Sequence, residues 1–237
     1  MSKSKVVLAF SGGLDTTYCV KYLTEEKGFE VYSVLVNTGG FTESELQEVA
    51  RTATELGVKE HVNIERTKQF YDQCIRYLLA GNVLKNNTYP LSVSAERAFQ
   101  AKAIAEYARK IGATHIAHGS TGAGNDQVRF DVIFHTLCPD VEIVTPIRDQ
   151  KLSREQEIQY LKDKGVERDW EQSVYSINQG LWGTSVGGRE TLTSDQFLPE
   201  EAFPTKVTKE EPEELKITFS DGEPVAVNGK DMVPEDA

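Results

Sequence analysis

Hydrophobic and polar positions follow two rhythms along this chain up to Gly165, and a third texture after it. In the first part, short runs of aliphatic residues bounded by turns read as buried strands. Between them, apolar residues recur every three or four positions, as on amphipathic helices. Val6-Val7-Leu8-Ala9-Phe10 predicts a strand that breaks at Ser11-Gly12-Gly13. Leu14, Tyr18, Val20, Tyr22 and Leu23 then predict a helix over 14–27, stopped by Gly28. A second strand is predicted over 30–36, with a turn at Asn37-Thr38-Gly39-Gly40. Thr42 with Glu45 is a capping-box pair, and Leu46, Val49, Ala50, Ala53 and Leu56 continue a helix to Gly57. A third strand over 60–64 and a helix over 67–80 follow. The polar stretch 82–93 is long for a connection. Ser94 suits a helix N-cap, and an alanine-rich helix is predicted over 95–111. Strands over 114–117 and 141–145 flank a glycine-rich turn over 118–130. Ser153 with Gln156 is a second capping box, opening a helix over 155–164.

Strands alternating with helices predict an α/β fold with a doubly wound parallel sheet and right-handed crossovers. Ligands bind such sheets at the carboxyl ends of the strands. Both glycine-rich turns, the 37–40 turn and the 89–94 loop belong to that edge. Beyond Gly165 the stretch 170–195 is rich in Ser, Gly, Asn and Gln and has no helical period, with Tyr175 and Trp182 as its partial core. Residues 209–214 are a charged run. Leu215, Ile217 and Phe219, then Val225 and Val227, alternate around Ser220-Asp221-Gly222, which predicts an antiparallel hairpin. A lone hairpin is marginal, so it is expected to dock elsewhere or to belong to a domain that continues. The expected domains are 1–165 and 166–237, the second of them truncated.

Composition narrows the classes. Of 237 residues, 39% are apolar and 27% charged, as in a globular chain. No apolar run approaches a membrane span, and too few apolar residues follow the basic N-terminus for a signal peptide. The cysteines Cys19, Cys74 and Cys138 are odd in number and widely spaced, which suits neither a disulfide framework nor a metal site. A reduced, cytoplasmic protein is expected. A net charge of −11 disfavours nucleic acid as a partner.

The turn after the first strand carries the strongest chemistry. Ser11-Gly12-Gly13 lets a phosphate reach backbone N–H groups at the positive end of a helix. An ordinary strand-to-helix turn uses the same residue types. No Gly-Lys-Ser/Thr follows, and Gly-x-Gly-x-x-Gly is absent. Ser11-Gly12-Gly13-Leu14-Asp15-Thr16-Thr17 resembles the pyrophosphate-binding loop of the N-type ATP pyrophosphatases, which cleave ATP between its α- and β-phosphates. The turn Gly119-Ser120-Thr121-Gly122-Ala123-Gly124-Asn125-Asp126-Gln127-Val128-Arg129-Phe130 resembles the signature segment of the argininosuccinate synthase family. Val36, Tyr89 with Ser94, and Ser176 with Ser185 are similar to that family's pattern and stand in its order. The resemblance covers residues 5–237 and corresponds to the N-terminal portion of the family's usual length. The sequence departs from the family at Ala95-Glu96-Arg97-Ala98, where Ala-Arg-Pro is usual, at Val36, where many members have Ala, and at Ala123, where a Lys is replaced.

The resemblance implies a Rossmann-like domain of the adenine nucleotide α-hydrolase type, followed by part of an α+β synthetase domain. It implies that citrulline and aspartate are joined by way of a citrullyl-adenylate, releasing pyrophosphate and AMP. ATP would be held by Ala9, Phe10, Ser11, Gly12, Gly13, Leu14, Asp15, Thr16, Thr17, Val36 and Gly119. Aspartate would be held by Thr121, Asn125 and Asp126, and citrulline by Tyr89, Ser94, Asn125, Arg129, Ser176 and Ser185. Asp15 and Arg129 are the expected catalytic residues. Asp15 alone would repel phosphate, and a Mg²⁺ ion between them resolves the conflict. The other reading of Asp15 is an acid favoured by the helix dipole. Asp126 suits a substrate ammonium group or a salt bridge to a nearby Arg, and Ser94 suits both citrulline and an N-cap. The family implies a homotetramer for the full-length protein. An ATP-binding module without turnover is the alternative function. A tRNA-thiolating or ammonia-dependent synthetase is a further reading within the superfamily, and the first of these would bring a cysteine pair and a basic surface, which this chain lacks.

Overall fold

The computed structural model describes residues 3–122, 124–168, 170 and 175–236, so Ala123 of the signature segment and residues 171–174 of the polar stretch lie outside the described residues. Contacts divide the chain into two compact units. One comprises Met1–Asn37, Phe41–Glu65 and Arg97–Ser173, and the other Thr38–Gly40, Arg66–Glu96 and Val174–Ala237.

The first unit is built on strands β1 (Lys5–Ala9), β2 (Glu30–Asn37), β3 (Glu60–Glu65), β4 (His115–Ala117) and β5 (Glu142–Val144). They form a five-stranded sheet in the order β3-β2-β1-β4-β5, with every pairing parallel. The doubly wound parallel fold read from the sequence is therefore the observed one. The chain adds strands outward from β1 on one side, then crosses to the other side of β1. The reversal falls between the carboxyl ends of β1 and β4, the place where such sheets bind ligands.

Alternation along β1 divides two core layers. Val7 packs with Val34, Ile104, Ala108, Phe130 and Phe134 on one face. Val6 and Leu8 pack with Tyr18, Cys19, Leu23 and Ile147 on the other, as the period of two requires.

The first helix (Leu14–Lys21) passes into a π-helical turn, Tyr22–Glu26, before Gly28 reverses the chain at φ 67°. Both predicted capping boxes form, Thr42 with Glu45 at helix Glu43–Glu55 and Ser153 with Gln156 at helix Arg154–Asp163. Two helices go beyond the sequence reading. The chain turns helical at Asp126 and stays so to Leu137, where Phe130, Ile133, Phe134 and Leu137 meet the core at helical spacing. A short helix, Pro146–Gln150, follows β5.

Ser94 as an N-cap is corrected. The helix there is Ser92–Ile111, so Ser94 lies inside its first turn. Leu91, in a left-handed conformation at φ 59°, reverses the chain just before it, and Ala95 N–H bonds to Leu91 O at 3.0 Å.

In the second unit, Thr67–Phe70, a π-helical turn Tyr71–Ile75 and Arg76–Ala80 run on as the helical stretch predicted over 67–80. Strands β6 (Ser176–Gly180) and β7 (Gly183–Gly187) form an antiparallel hairpin that the polar stretch did not announce, because it lacks apolar alternation. The predicted hairpin is β8 (Ile217–Ser220) with β9 (Glu223–Val227), and β10 (Lys230–Asp231) adds a third strand. This sheet docks on the 67–80 stretch. Glu223 pairs with Arg76 and accepts a hydrogen bond from the Tyr71 hydroxyl, and Glu235 lies 3.5 Å from Lys68.

Candidate functional site

At the end of β1 the sheet pairing continues one residue further, with Phe10 N–H on Val34 O at 2.9 Å. The chain then leaves the sheet through Ser11, Gly12 and Gly13. Gly12 has φ 80°, and a Cβ there would sit 3.3 Å from Val49 Cγ2, so both conformation and space favour glycine. Gly13 is the extended N-cap of the first helix and has no side chain to accept from the first-turn N–H groups. Thr16 donates to Gly13 O at 3.2 Å, and its hydroxyl lies 3.5 Å from that of Ser11. Ser11 and Gly13 are exposed, and Ala9, Asp15 and Thr16 are half-buried. Phe10, Leu14, Thr17 and Val36 are buried.

The second glycine-rich turn leaves β4. A Cβ on Gly119 would meet the Asp15 carbonyl carbon and Cβ at 3.2 Å, so the turn lies directly on the first turn of the first helix. The two turns, distant in sequence, thus meet at the reversal point of the sheet. Thr121 and Asn125 are exposed, and Asn125 is the N-cap of helix Asp126–Leu137 without a side-chain cap bond. Asp126 accepts from Arg97 Nε at 2.9 Å and from Arg129 at 2.6 Å. The salt-bridge reading of Asp126 is therefore realised, and it brings Arg129 to the same edge.

A partner of Asp15 escaped the sequence reading. Glu157, in helix Arg154–Asp163, is 1% exposed and lies close enough to Asp15 for the two carboxyls to interact. Burial raises the pKa of both groups. The neighbouring Asp15 carboxyl raises Glu157 further, to about 8, while Arg154 opposes the rise. Two neighbouring buried carboxyls do not both ionise readily, so the pair retains one proton. The signal available in the sequence was an acid four residues before Leu161, on the stripe that faces the core. Cys19, fully buried near the same acids, has its thiol pushed well up by burial, which makes it a core residue.

The first unit fits a nucleotide triphosphate. Glycines without Cβ, a helix start with no side-chain cap, and the Ser11 and Thr16 hydroxyls face one edge. For Mg²⁺ the donor set is a single carboxylate. Among the described residues no group of three or more His, Cys, Asp or Glu is placed to hold a metal ion. Asp15 suits an ion that takes its other ligands from phosphate and water, provided that the proton shared with Glu157 leaves.

In the second unit, Tyr89 and Ser94 are in contact, since Ser94 N–H donates to the Tyr89 hydroxyl at 3.4 Å. Tyr89 thereby satisfies one of the orphan donors of helix Ser92–Ile111. In the β6–β7 hairpin Ser176 pairs with Gly187 and Asn178 with Ser185. With a side-chain period of two, Ser176, Asn178 and Ser185 share one face. The hairpin turn is seated on glycine. A Cβ on Gly40 would strike the Gln179 carbonyl, one on Gly39 would lie 2.8 Å from Leu181 Cβ, and one on Gly180 would strike the Glu96 carboxyl.

A family model described as the arginosuccinate synthase N-terminal HUP domain matches residues 5–167. The argininosuccinate synthase of Methanocaldococcus jannaschii is 41% identical over 231 residues, which cover 96% of this chain and 58% of that protein. That of Sulfolobus acidocaldarius is 40% identical, with 96% and 58% covered. That of Pyrobaculum aerophilum is 39% identical, with 98% and 59% covered. The chain thus spans less than two thirds of the length of these curated relatives.

Proposed function

The chain belongs to the argininosuccinate synthase family, and from that membership we propose that it carries the ATP and amino acid sites of a ligase joining citrulline to aspartate. The carrying observation is the meeting of the two glycine-rich turns at the sheet's reversal point, with Gly119 against Asp15. The domains proposed are 1–165 for the nucleotide and 166–237 as the start of a synthetase domain.

In this reading the backbone of residues 9–17, Val36 and Gly119 holds ATP. The ureido oxygen of citrulline attacks the α-phosphate, giving a citrullyl-adenylate and pyrophosphate. The aspartate amine then displaces AMP. Little covalent chemistry falls to the protein, and positioning with electrostatic stabilisation carries the rate. The first-turn N–H groups and the Ser11 and Thr16 hydroxyls face the charge that grows on departing pyrophosphate. Bound Mg²⁺ would neutralise part of that charge, with Asp15 as its protein ligand. Thr121, Asn125 and Asp126 are proposed for aspartate, with Arg129 and Asn125 offering donors to substrate carboxylates. Tyr89, Ser94, Ser176 and Ser185 are the further contacts proposed for citrulline. A cytoplasmic homotetramer is proposed for the whole protein, and no helix among the described residues is long and apolar enough to cross a membrane.

Pyrophosphate release by the whole protein should require ATP, citrulline and aspartate together. No release with all three present sinks the ligase reading. Calorimetry in which ATP binds but neither amino acid has any effect favours the alternative, a nucleotide-binding module without turnover.

A further inference from the structure

One set of polar side chains outside the phosphate loop closes on itself. His118, the residue that leads from β4 into the second glycine-rich turn, is 1% exposed. Its Nδ1 accepts the Ser120 N–H at 3.2 Å, so that nitrogen carries no proton. Its Nε2 therefore bears the hydrogen and donates to Asp131 Oδ1 at 2.9 Å. Phe130 stacks on the imidazole at 5.5 Å between centroids and fixes its plane. The second oxygen of Asp131 accepts from Arg148 at 2.7 Å. The same Arg148 nitrogen donates to Gln127 Oε1 at 3.1 Å, which settles the orientation of that amide. Gln127 Nε2 then donates back to the turn, to Gly122 O at 2.7 Å and Gly124 O at 3.2 Å.

The circuit leaves the turn at Ser120 and returns to it at Gly122 and Gly124. Glycines give this backbone more freedom than any other residue would, and Gly122 and Gly124 have no side chains with which to anchor themselves. The order of the turn must come from outside it. We propose that His118, as the neutral Nε2–H tautomer, and Gln127 are positioning residues that hold this turn by three backbone groups and so present Thr121, Asn125 and Asp126 to the amino acid substrate. The presentation rests on the ligase reading above, and the grip does not.

Three variants of this chain separate the parts. His118→Asn keeps an acceptor close to Ser120 N–H, His118→Gln keeps a donor toward Asp131, and Gln127→Glu removes the donors to Gly122 and Gly124. Gln127 is half-buried at the start of its helix, so its variant is expected to fold. Amide exchange at residues 120–122, 124 and 125 should quicken about tenfold in His118→Gln and Gln127→Glu, with β1 unchanged, and stay closer to wild type in His118→Asn. Nitrogen-15 shifts of the wild-type imidazole should mark Nδ1 as the bare nitrogen. Exchange unchanged in both loosened variants, or lost equally in β1, overturns the proposal, as does a proton on Nδ1. Binding of ATP with aspartate should protect the same amides in the wild type. Loosening in the variants without that protection supports the grip and removes the ligase reading.

Discussion

Glu157 has a raised pKa in the folded chain because it is buried against another acid, so the native state binds a proton that the unfolded state releases. The sign follows. Between the ordinary value of 4.5 and the raised value of about 8, the native state holds more protons, so stability falls as pH rises through that window. Glu157→Gln mimics the protonated form. It should leave stability nearly unchanged near pH 4.5 and raise it relative to wild type above pH 8 by a few kcal/mol, on the order of 1.4 kcal/mol for each pH unit of that window. Urea unfolding of both proteins across this range decides it, and parallel pH profiles count against the shared proton. Asp15→Asn tests the other partner. Adenylation by the whole protein should slow most at low Mg²⁺, and a rate indifferent to Mg²⁺ removes the metal role. The glycine under the β6–β7 turn is equally exacting. Gly180→Ala sets a methyl into the Glu96 carboxyl and should cost about 1–3 kcal/mol. The pair Gly180→Ala with Glu96→Ala should recover much of this in thermal denaturation, since the second change clears the space.

Helix starts were legible where the chemistry is local. Thr42 with Glu45 and Ser153 with Gln156 name their caps in four residues, and both boxes form. Thr42→Ala should therefore cost about 1 kcal/mol, readable as a lower urea midpoint with an unchanged slope. Ser94 shows the limit of that logic. It has the residue type of an N-cap, but the left-handed Leu91 starts the helix earlier, and the Tyr89 hydroxyl serves the donor instead. The helix Asp126–Leu137 was hidden for a related reason. Its first turn is written in the polar residues of the glycine-rich segment, and only Phe130, Ile133, Phe134 and Leu137 carry the helical spacing. The β6–β7 hairpin pairs Ile177 with Val186 on one face but carries no longer apolar alternation. Its place is set by two glycines contributed from Gly39-Gly40, which are separated from it by most of the chain. The candidate ATP residues were legible because a strand, a glycine turn and a helix start follow one another directly. Glu157 and the His118 circuit were not, because each depends on a partner that only the folded sheet supplies.

At the scale of the molecule, the residues proposed for ATP all belong to one unit, while Tyr89, Ser94, Ser176 and Ser185 belong to the other. Calorimetry of this chain should therefore give an ATP affinity changed by less than about twofold in Ser176→Ala and Ser185→Ala, since neither serine is among the residues proposed for ATP. Gly119→Val, by contrast, drives a side chain into Asp15 and should abolish binding. A loss of ATP affinity in the serine variants would mean that nucleotide binding is not confined to the first unit. The parallel order of the sheet also bears on how the protein is made. The nucleotide edge needs β4 laid in register beside β1, Val6 against His115 and Leu8 against Ala117, across the whole length of chain that forms β2 and β3. The Gly119 side of that edge is in place only once β4 has paired with β1. Contacts of such long range form slowly, so the complete edge, with Gly119 against Asp15, is a late product of folding. ATP should then raise the global unfolding free energy with the logarithm of its concentration above Kd, acting as a brake on opening of the central strands.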